Sequence, residues 1–208
     1  FLSLTNRNNN GSKNIINAGI NATSQLNAIK KFIELKEIKK TIFLTPDVNY
    51  KIEIEKAITN SKIKIINNYI YNTDPTKLTE QIEMITDYER RKQNLEDEIK
   101  RLEKSDENGK EKLIEGLEKK DTLGDVKFDS IIIADFDESL KSVTTSLLYT
   151  DISPKEKYFI TLNQWFDESL LNETSSQPLY FPSINKKNYD DFSLEYFKKF
   201  NHYPNQLS

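Results

Sequence analysis

Four short runs rich in Ile, Phe and Tyr lie along the chain, and segments with helical spacing separate them. This alternation constrains the fold more than any other feature. The runs cover residues 41–46, 63–71, 128–135 and 157–165. Each is apolar over most of its length, which is typical of strands whose two faces are both covered by helices. The order of strands and helices predicts an α/β fold with a parallel sheet flanked by helices on both faces.

The segments between the strands carry apolar residues at spacings of three and four, as helices do. We expect the first helix to begin at a cap on Thr23 or Ser24 and to end near Lys40. Asp74 or Thr73 is expected to cap the helix that follows the second strand. Other helices are predicted over residues 50–61, 138–149 and 189–201.

A highly charged segment, residues 75–124, interrupts the pattern directly before the third strand. Its aliphatic residues follow the alternating three- and four-residue steps of a coiled-coil seam, with a turn over residues 105–109. The predicted seam consists of Leu78, Ile82, Ile85, Leu95, Ile99 and Leu102, and then Leu113 and Leu117 on a return helix. We therefore expect an inserted antiparallel helical hairpin. It either lengthens a crossover as a solvated element or forms an arm that docks a protein partner.

The composition argues against several classes of function. The net charge of −3 argues against nucleic acid as a partner, and the absence of Cys excludes disulfides and thiol catalysis. The single His, His202, has no second His with which to share a metal ion. No glycine-rich loop that could hold the phosphates of a nucleotide is present. We expect no cofactor and no metal site.

Asp135 and Asp137 resemble a catalytic carboxylate pair, but they flank Phe136 and have no nucleophile or base as a neighbour in the sequence. Catalysis needs such groups within hydrogen-bond reach of one another. We therefore predict that the chain is not an enzyme. The carboxyl ends of parallel strands are where ligands bind in sheets of this kind. Here those ends carry the sequences LTPDVN, IADFDE and TLNQWFD.

Two long stretches of the sequence are similar to a known protein family. The stretches ITDYERRKQNLEDEIKRLE and LEKKDTLGDVKFDSIIIADFDE, with the later KYFITLNQWFDESLL, resemble the penicillin-binding protein activator family of Gram-negative bacteria, of the alphaproteobacterial type. The resemblance extends over nearly the whole chain. It implies a periplasmic-binding-protein-like fold of type 1, the leucine-binding-protein type. It also implies a periplasmic regulator of peptidoglycan synthesis that acts by contacting a penicillin-binding protein.

The resemblance implies a cleft between two lobes, lined by residues at strand ends. The cleft candidates are Ser3, Thr5, Asn6, Asp135, Phe136, Asn163, Gln164 and Trp165. Thr, Asn and Gln side chains could bind a polar ligand, and aromatic rings could cover its apolar part. Trp165 could instead anchor the following loop. Docking candidates at the base of the hairpin are Asp87, Tyr88, Arg90 and Arg91, which could equally form intramolecular ion pairs.

The domain boundaries follow from the same fold. We expect residues 1–22 to belong to the first lobe and the crossover, residues 23–165 to form the second lobe with the hairpin, and residues 166–208 to return toward the first lobe. The chain starts on an apolar segment, so we expect it to be part of a longer protein, with any lipid anchor outside it. A solute-binding protein for amino acids or similar small molecules is the alternative function.

Overall fold

The computed structural model describes residues 2–3, 14, 16–17, 19–162, 176–183 and 185–204. Short strands and longer helices alternate within these residues. The elements are β1 (Leu2–Ser3), β2 (Ile16–Asn17), α1 (Ala22–Leu35), β3 (Thr41–Pro46), α2 (Lys51–Ser61), β4 (Asn67–Tyr71), α3 (Pro75–Ile85), α4 (Tyr88–Glu103), α5 (Lys110–Leu117), β5 (Ser130–Ile133), α6 (Asp137–Tyr149), β6 (Tyr158–Thr161), β7 (Leu179–Tyr180) and α7 (Lys186–Phe200).

Five strands form one parallel sheet in the order β4-β3-β5-β6-β7. Every neighbouring pair in it is parallel, and one level of the sheet runs through Asn68, Phe43, Ile132, Ile160 and Tyr180. The α/β fold with a parallel sheet is therefore confirmed. A separate parallel pair, β1 with β2, lies outside this sheet. The strand β3 covers its whole predicted run, residues 41–46, whereas β4, β5 and β6 are shorter than the runs that predicted them.

Helices cover both faces of the sheet, as the apolar strands require. Alternate strand residues face opposite sides, so Phe43 packs with α1 and α2 on one face, whereas Leu44 packs with α3 and α6 on the other. The strands β3 and β5 are buried at every position. Burial on both faces accounts for the uninterrupted apolar character of these two runs in the sequence.

The helix caps differ in part from the prediction. Asn21, rather than Thr23 or Ser24, caps α1, and its side-chain Oδ1 accepts a hydrogen bond of 2.9 Å from the backbone N–H of Ser24. Asn is as good a cap as Ser because its side-chain oxygen reaches the same unpaired N–H groups. The predicted cap on Asp74 is confirmed, since its side chain accepts from the backbone N–H groups of Thr76 and Lys77.

The first helix ends earlier than predicted, at Leu35. Glu37 adopts a left-handed backbone conformation with φ of 54°. The following N–H, of Ile38, donates back to the carbonyl of Ile33 at 3.0 Å. This six-to-one bond is the Schellman pattern that closes helices. The helix-like spacing in the sequence continues past this point, so spacing alone could not locate the end.

The charged segment does not form one continuous rod before its turn. Asp87, with φ of 51°, breaks the helix between α3 and α4. Leu78 and Ile82 of α3 are buried in the core of the sheet. The predicted seam from Leu78 to Leu102 is therefore wrong as a single coiled-coil stripe, because its first part faces the sheet. The hairpin itself consists of α4 and α5.

The hairpin packs through one narrow apolar stripe. Leu95 and Leu102 of α4 are buried, and Ile114 and Leu117 of α5 are half-buried. Leu113 was predicted in the seam, but 51% of it is exposed. Successive residues of a helix are rotated by about 100° about its axis. Leu113 therefore points away from the face of α5 that contacts α4, and the next residue, Ile114, lies on that face.

Candidate functional site

The carboxyl ends of β4, β5 and β6 bring polar and aromatic side chains together at one edge of the sheet, although β3 lies between β4 and β5. Tyr71 ends β4, Asp135 follows β5, and Thr161 ends β6. Tyr50 directly precedes α2 and reaches the same place, and the ring of Phe136 lies beside it with ring centroids 6.2 Å apart. We call these five residues the carboxyl-edge cluster.

Asp135 is the centre of the cluster, and it is 5% exposed. The hydroxyl of Tyr50 donates to Asp135 Oδ1 at 3.3 Å and to the carbonyl oxygen of Ala134 at 3.1 Å. The hydroxyl of Tyr71 donates to Asp135 Oδ2 in a short hydrogen bond. The backbone N–H of Phe136 also donates to Asp135 Oδ1, at 2.9 Å. Both carboxylate oxygens are therefore held by donors from three segments of the chain.

The electrostatics of the cluster follow from its burial. Burial raises the pKa of Asp135, although the hydrogen bonds from Tyr71, Phe136 and Tyr50 oppose this by stabilising the carboxylate. The pKa values of Tyr71 and Tyr50 are also raised, first by burial and then by the negative charge of Asp135. Both hydroxyls therefore keep their protons and remain donors near neutral pH.

Thr161 ties the neighbouring strand to this edge. Its hydroxyl lies 3.0 Å from the carbonyl oxygen of Ile133 and 3.3 Å from that of Asp135, and it donates to them. Thr161 is fully buried, so its contacts hold the backbone that carries Asp135. Phe136, by contrast, is 36% exposed and presents its ring at the surface of the cluster. The cluster thus combines a rigid polar base with an accessible aromatic ring.

The sequence predicted only part of this site. Asp135 and Phe136 lie at the carboxyl edge, and Ser3 lies in β1, in the separate two-stranded sheet. The other cleft candidates, Thr5, Asn6, Asn163, Gln164 and Trp165, lie outside the described residues. The sequence reasoning missed Tyr50, Tyr71 and Thr161. Tyr71 and Thr161 end strands, so their positions could have identified them, whereas Tyr50 lies four residues after β3.

Asp135 and Asp137 do not form the carboxylate pair that the sequence suggested. Asp135 is buried beneath the tyrosines, whereas Asp137 is exposed at the first position of α6. The described residues hold no group of three or more His, Cys, Asp or Glu side chains that could bind a metal ion. None of the helices among them has the length and apolar character that a membrane span needs.

The docking candidates at the base of the hairpin fall into two groups. Arg90 is exposed, Asp87 is half-buried, and the two form an ion pair of 2.7 Å. Tyr88 is only 8% exposed and lies against Tyr149, with ring centroids 5.6 Å apart. Arg91 is only 4% exposed. Asp87 and Arg90 thus form an intramolecular ion pair, the alternative that the sequence left open, at a position that a partner could still reach. Tyr88 and Arg91 are instead buried in other intramolecular contacts.

Arg91 connects the hairpin to the amino edge of the sheet. Its guanidinium donates to the carbonyl oxygens of Gly124 and Thr150, both at 3.0 Å, and to the hydroxyl of Thr122 at 2.7 Å. The Thr122 hydroxyl in turn donates to Asp151 Oδ2 at 2.7 Å. These bonds use all three guanidinium nitrogens. Burial lowers the pKa of Arg91, and the nearby charge of Asp151 opposes that shift.

A cavity of about 310 Å³ lies beside Arg91 at this amino edge. An ion pair of 2.7 Å between Lys157 and Asp125 lies in its wall. The hydrogen bond from Lys157 lowers the pKa of Asp125, so this carboxylate stays ionised. Within this wall Lys157 and Asp125 are thus paired with each other. The carboxyl-edge cluster, on the side where ligands bind in such sheets, is the stronger candidate site.

No protein-family model matches the sequence. No curated protein matches it either. Solved structures do resemble the fold. The leucine-, isoleucine-, valine-, threonine- and alanine-binding protein of Brucella ovis, in its closed conformation, matches with a TM-score of 0.55 at 10% identity. That match covers 91% of this chain and 42% of the Brucella protein.

Two further structures agree with it. An extracellular ligand-binding receptor from Verminephrobacter eiseniae matches with a TM-score of 0.52 at 10% identity, over 95% of this chain and 50% of the receptor. A branched-chain amino acid ABC transporter periplasmic ligand-binding protein from Burkholderia xenovorans matches with a TM-score of 0.51 at 9% identity, over 90% of this chain and 42% of that protein. This chain spans half or less of the length of each. It has the α/β fold of a leucine-binding-protein-like lobe, with a helical hairpin inserted before the third strand of its sheet.

Proposed function

We propose that this chain is part of a non-catalytic, periplasmic solute-binding protein that holds an amino acid or a similar small molecule at the carboxyl edge of the sheet. The observation that carries the proposal is the carboxyl-edge cluster, where a buried carboxylate accepts hydrogen bonds from Tyr50 and Tyr71 and the ring of Phe136, beside Tyr50, is accessible. Binding proteins and receptors with the same fold support it.

The roles within the cluster differ. Phe136 would contact the apolar part of the ligand, because its ring is the accessible group. Asp135 would act as a positioning residue, because both of its oxygens already accept hydrogen bonds from the protein. The remaining cleft candidates at strand ends, Asn163, Gln164 and Trp165, would complete the wall next to β6. The strand β7 lies in this sheet and α1 begins at Ala22, so residues 1–21 and the chain after β7 would contribute to the opposite lobe.

The test is ligand-induced thermal stabilisation of the full-length protein against a panel of amino acids and small polar solutes. A ligand at 100 times its Kd should add about 2.7 kcal/mol to the free energy of unfolding. For an unfolding unit of about 150–250 residues that is a rise in Tm of roughly 5–10 °C. The variant Phe136→Ala should lose most of this shift. The matched control Leu113→Ala removes an exposed apolar side chain on the hairpin and should keep the whole shift.

A full ligand-induced shift in Phe136→Ala would place the ligand away from this edge. The absence of a shift with every solute would count against the solute-binding function itself. Asp135→Asn separates positioning from contact. If Asp135 positions the ring, this variant should weaken ligand binding and also change the near-ultraviolet circular dichroism of the tyrosines in the ligand-free protein.

A second function is favoured by the hairpin. The helices α4 and α5 pack mainly on each other and on α3, and α5 has no buried residue. An exposed helical pair of this kind could serve as an arm that contacts a penicillin-binding protein. In that case the chain would regulate peptidoglycan synthesis, as the family resemblance implies. A lipid anchor in a segment outside this sequence would then hold the protein at the outer membrane.

Shortening the hairpin tests this second function. Replacing residues 96–116, the outer part of the hairpin between Leu95 and Leu117, with a short glycine linker should abolish capture of a purified peptidoglycan synthase by the full-length protein. The double variant Asp87→Asn, Arg90→Gln should weaken capture if the base of the hairpin takes part. Neither change should alter a ligand-induced thermal shift. Unchanged capture by the shortened protein would exclude the arm as the docking element.

A further inference from the structure

The cavity at the amino edge lies between the base of the hairpin and the sheet. The connector from α5 to β5 contributes Leu123 and Gly124 to its lining, and the turn between α6 and β6 contributes Ile152 and Glu156. Its volume of about 310 Å³ is at the lower end of the range for small-molecule sites. A small molecule in this cavity would contact the hairpin connector and the turn before β6 at the same time.

Backbone hydrogen bonds fix both of these segments. The N–H of Leu123 donates to the carbonyl oxygen of Arg91 at 2.9 Å, and the N–H of Ile152 donates to that of Leu147 at 2.9 Å. Gly124, with φ of 109°, turns the connector in a conformation that residues with side chains rarely adopt. The protein's own bonds therefore hold the walls, and largely pre-formed walls are typical of small-molecule sites.

The charges that line the cavity differ in depth. Two cations are buried, since 4% of Arg91 and 12% of the Lys157 side chain are exposed. The other charged lining residues are exposed, and they are Asp125, Asp151, Glu156 and Lys120. Water screens exposed charges much more than buried ones. The buried part of the lining is thus positive, whereas its exposed part holds three carboxylates and one ammonium group.

The lining has unused capacity for binding. The ammonium of Lys157 has three N–H donors, and Asp125, at 2.7 Å, is its one acceptor among the described residues. The side chain of Glu156 has no ion pair or hydrogen bond within that part of the chain. Burial lowers the pKa of Arg91 more than the neighbouring carboxylates raise it. A further negative charge near Arg91 would therefore stabilise the guanidinium.

We propose that this cavity binds a small amino acid in its zwitterionic form, with the carboxylate at Lys157 near Arg91 and the ammonium at Glu156. A zwitterion presents opposite charges to the buried cations and to the exposed carboxylates. A simple cation would meet the buried cations, and a simple anion would leave the exposed carboxylates without a partner. The site lies at the opposite edge of the sheet from the carboxyl-edge cluster and does not depend on the solute site proposed there.

Isothermal titration calorimetry of the full-length protein tests the charge pattern with three probes of similar size, 4-aminobutyrate, butyrate and butylamine. 4-Aminobutyrate should bind at least about tenfold more tightly than butylamine, which lacks the carboxylate that Lys157 would hold. It should bind roughly two- to fivefold more tightly than butyrate, which lacks only the ammonium at the exposed carboxylates. Equal affinity for 4-aminobutyrate and butyrate would overturn the zwitterion as the ligand class.

Variants locate the two charges of the ligand. Lys157→Met keeps the apolar stem and should weaken 4-aminobutyrate binding at least about tenfold. Lys155→Met makes the same charge change at an exposed position outside the cavity and should leave binding unchanged. Glu156→Gln should remove the preference over butyrate and leave butyrate binding as it is. Because Glu156 is exposed, this variant keeps its fold even if Lys157→Met does not.

Amide hydrogen exchange separates this site from the carboxyl edge. Bound 4-aminobutyrate should slow exchange over residues 120–125 and 151–157, and Phe136→Ala should leave its affinity unchanged. Three further results would overturn the proposal. The first is no binding of glycine, 3-aminopropionate or 4-aminobutyrate. The second is binding that both Lys157→Met and Glu156→Gln leave unchanged. The third is slowed exchange confined to residues 134–138 at the carboxyl edge.

Discussion

Replacing Arg91 tests the claim that this side chain connects the hairpin to the sheet. The change Arg91→Met keeps most of the apolar stem and removes the guanidinium. Its hydrogen bonds to the carbonyl of Thr150 and the hydroxyl of Thr122 are buried, and the bond to Gly124 is partly buried. Those acceptors would lose their donors, while the shape of the site would change little.

The expected loss in the free energy of unfolding of Arg91→Met follows from those three hydrogen bonds. Each buried acceptor left without a donor costs about 1–3 kcal/mol. Relief from burying a charge offsets part of that cost. We expect Arg91→Met to lower the free energy of unfolding by about 3–5 kcal/mol, a large share of the roughly 5–15 kcal/mol that holds a domain together. Arg91→Lys should be almost as costly, because an ammonium group cannot reproduce the planar fork.

The assay is urea unfolding followed by circular dichroism, with the free energy taken from the midpoint and slope. The neighbouring residue provides the matched control. Arg90 is exposed and makes one surface ion pair with Asp87, so Arg90→Met should cost less than about 1 kcal/mol. If Arg91→Met and Arg90→Met have the same midpoint, the guanidinium does not stabilise this junction and the reasoning fails.

Three further predictions concern stability. Because burial raises the pKa of Asp135 above its ordinary 3.8, its contribution to stability is complete below that pH and is lost as the pH rises through the raised value. The variant Asp135→Asn lacks this loss. The urea midpoint of the variant relative to that of the wild type should therefore be higher at pH 7 than at about pH 3.5. A lower relative midpoint at pH 7 would contradict the sign. Leu102→Ala should cost about 2–5 kcal/mol and Leu113→Ala less than about 1 kcal/mol, because the former is 2% and the latter 51% exposed; equal costs would refute the packing stripe. Asp74→Ala should cost about 0.5–2 kcal/mol by thermal unfolding, whereas Asp74→Asn should be nearly neutral, and equal losses would show that the cap bonds add nothing.

The hairpin shows where prediction from periodicity reaches its limit. The spacing of Leu78, Ile82, Leu95 and Leu102 predicts one stripe, because heptad spacing does not identify the surface that a stripe faces. In the structure the first two pack on the sheet and the last two on α5, with a left-handed residue between them. A positive φ at Asp87 leaves no trace in the hydrophobic pattern. The break could therefore not be predicted from spacing.

The site shows a similar division. Asp135 and Phe136 were predicted because they follow a strongly apolar strand, and ligand sites in parallel sheets lie at that end. The tyrosines that bind the carboxylate are 64 and 85 residues away in the sequence. Nothing local connects them with Asp135. Their convergence depends on strand order, which places β4 two strands from β5 with β3 between them.

The sequence by itself determined the fold class, because burial on both faces of a parallel strand demands apolar residues at nearly every position. It also determined the turn and the charged faces of the hairpin, because these depend on neighbours a few residues apart. Only the tertiary structure decided which charges are buried. It made Arg91 a saturated structural residue and left the adjacent Arg90 on the surface. The physical reason is that the cost of burying a charge depends on donors and acceptors that folding brings from distant segments, and no local pattern records them.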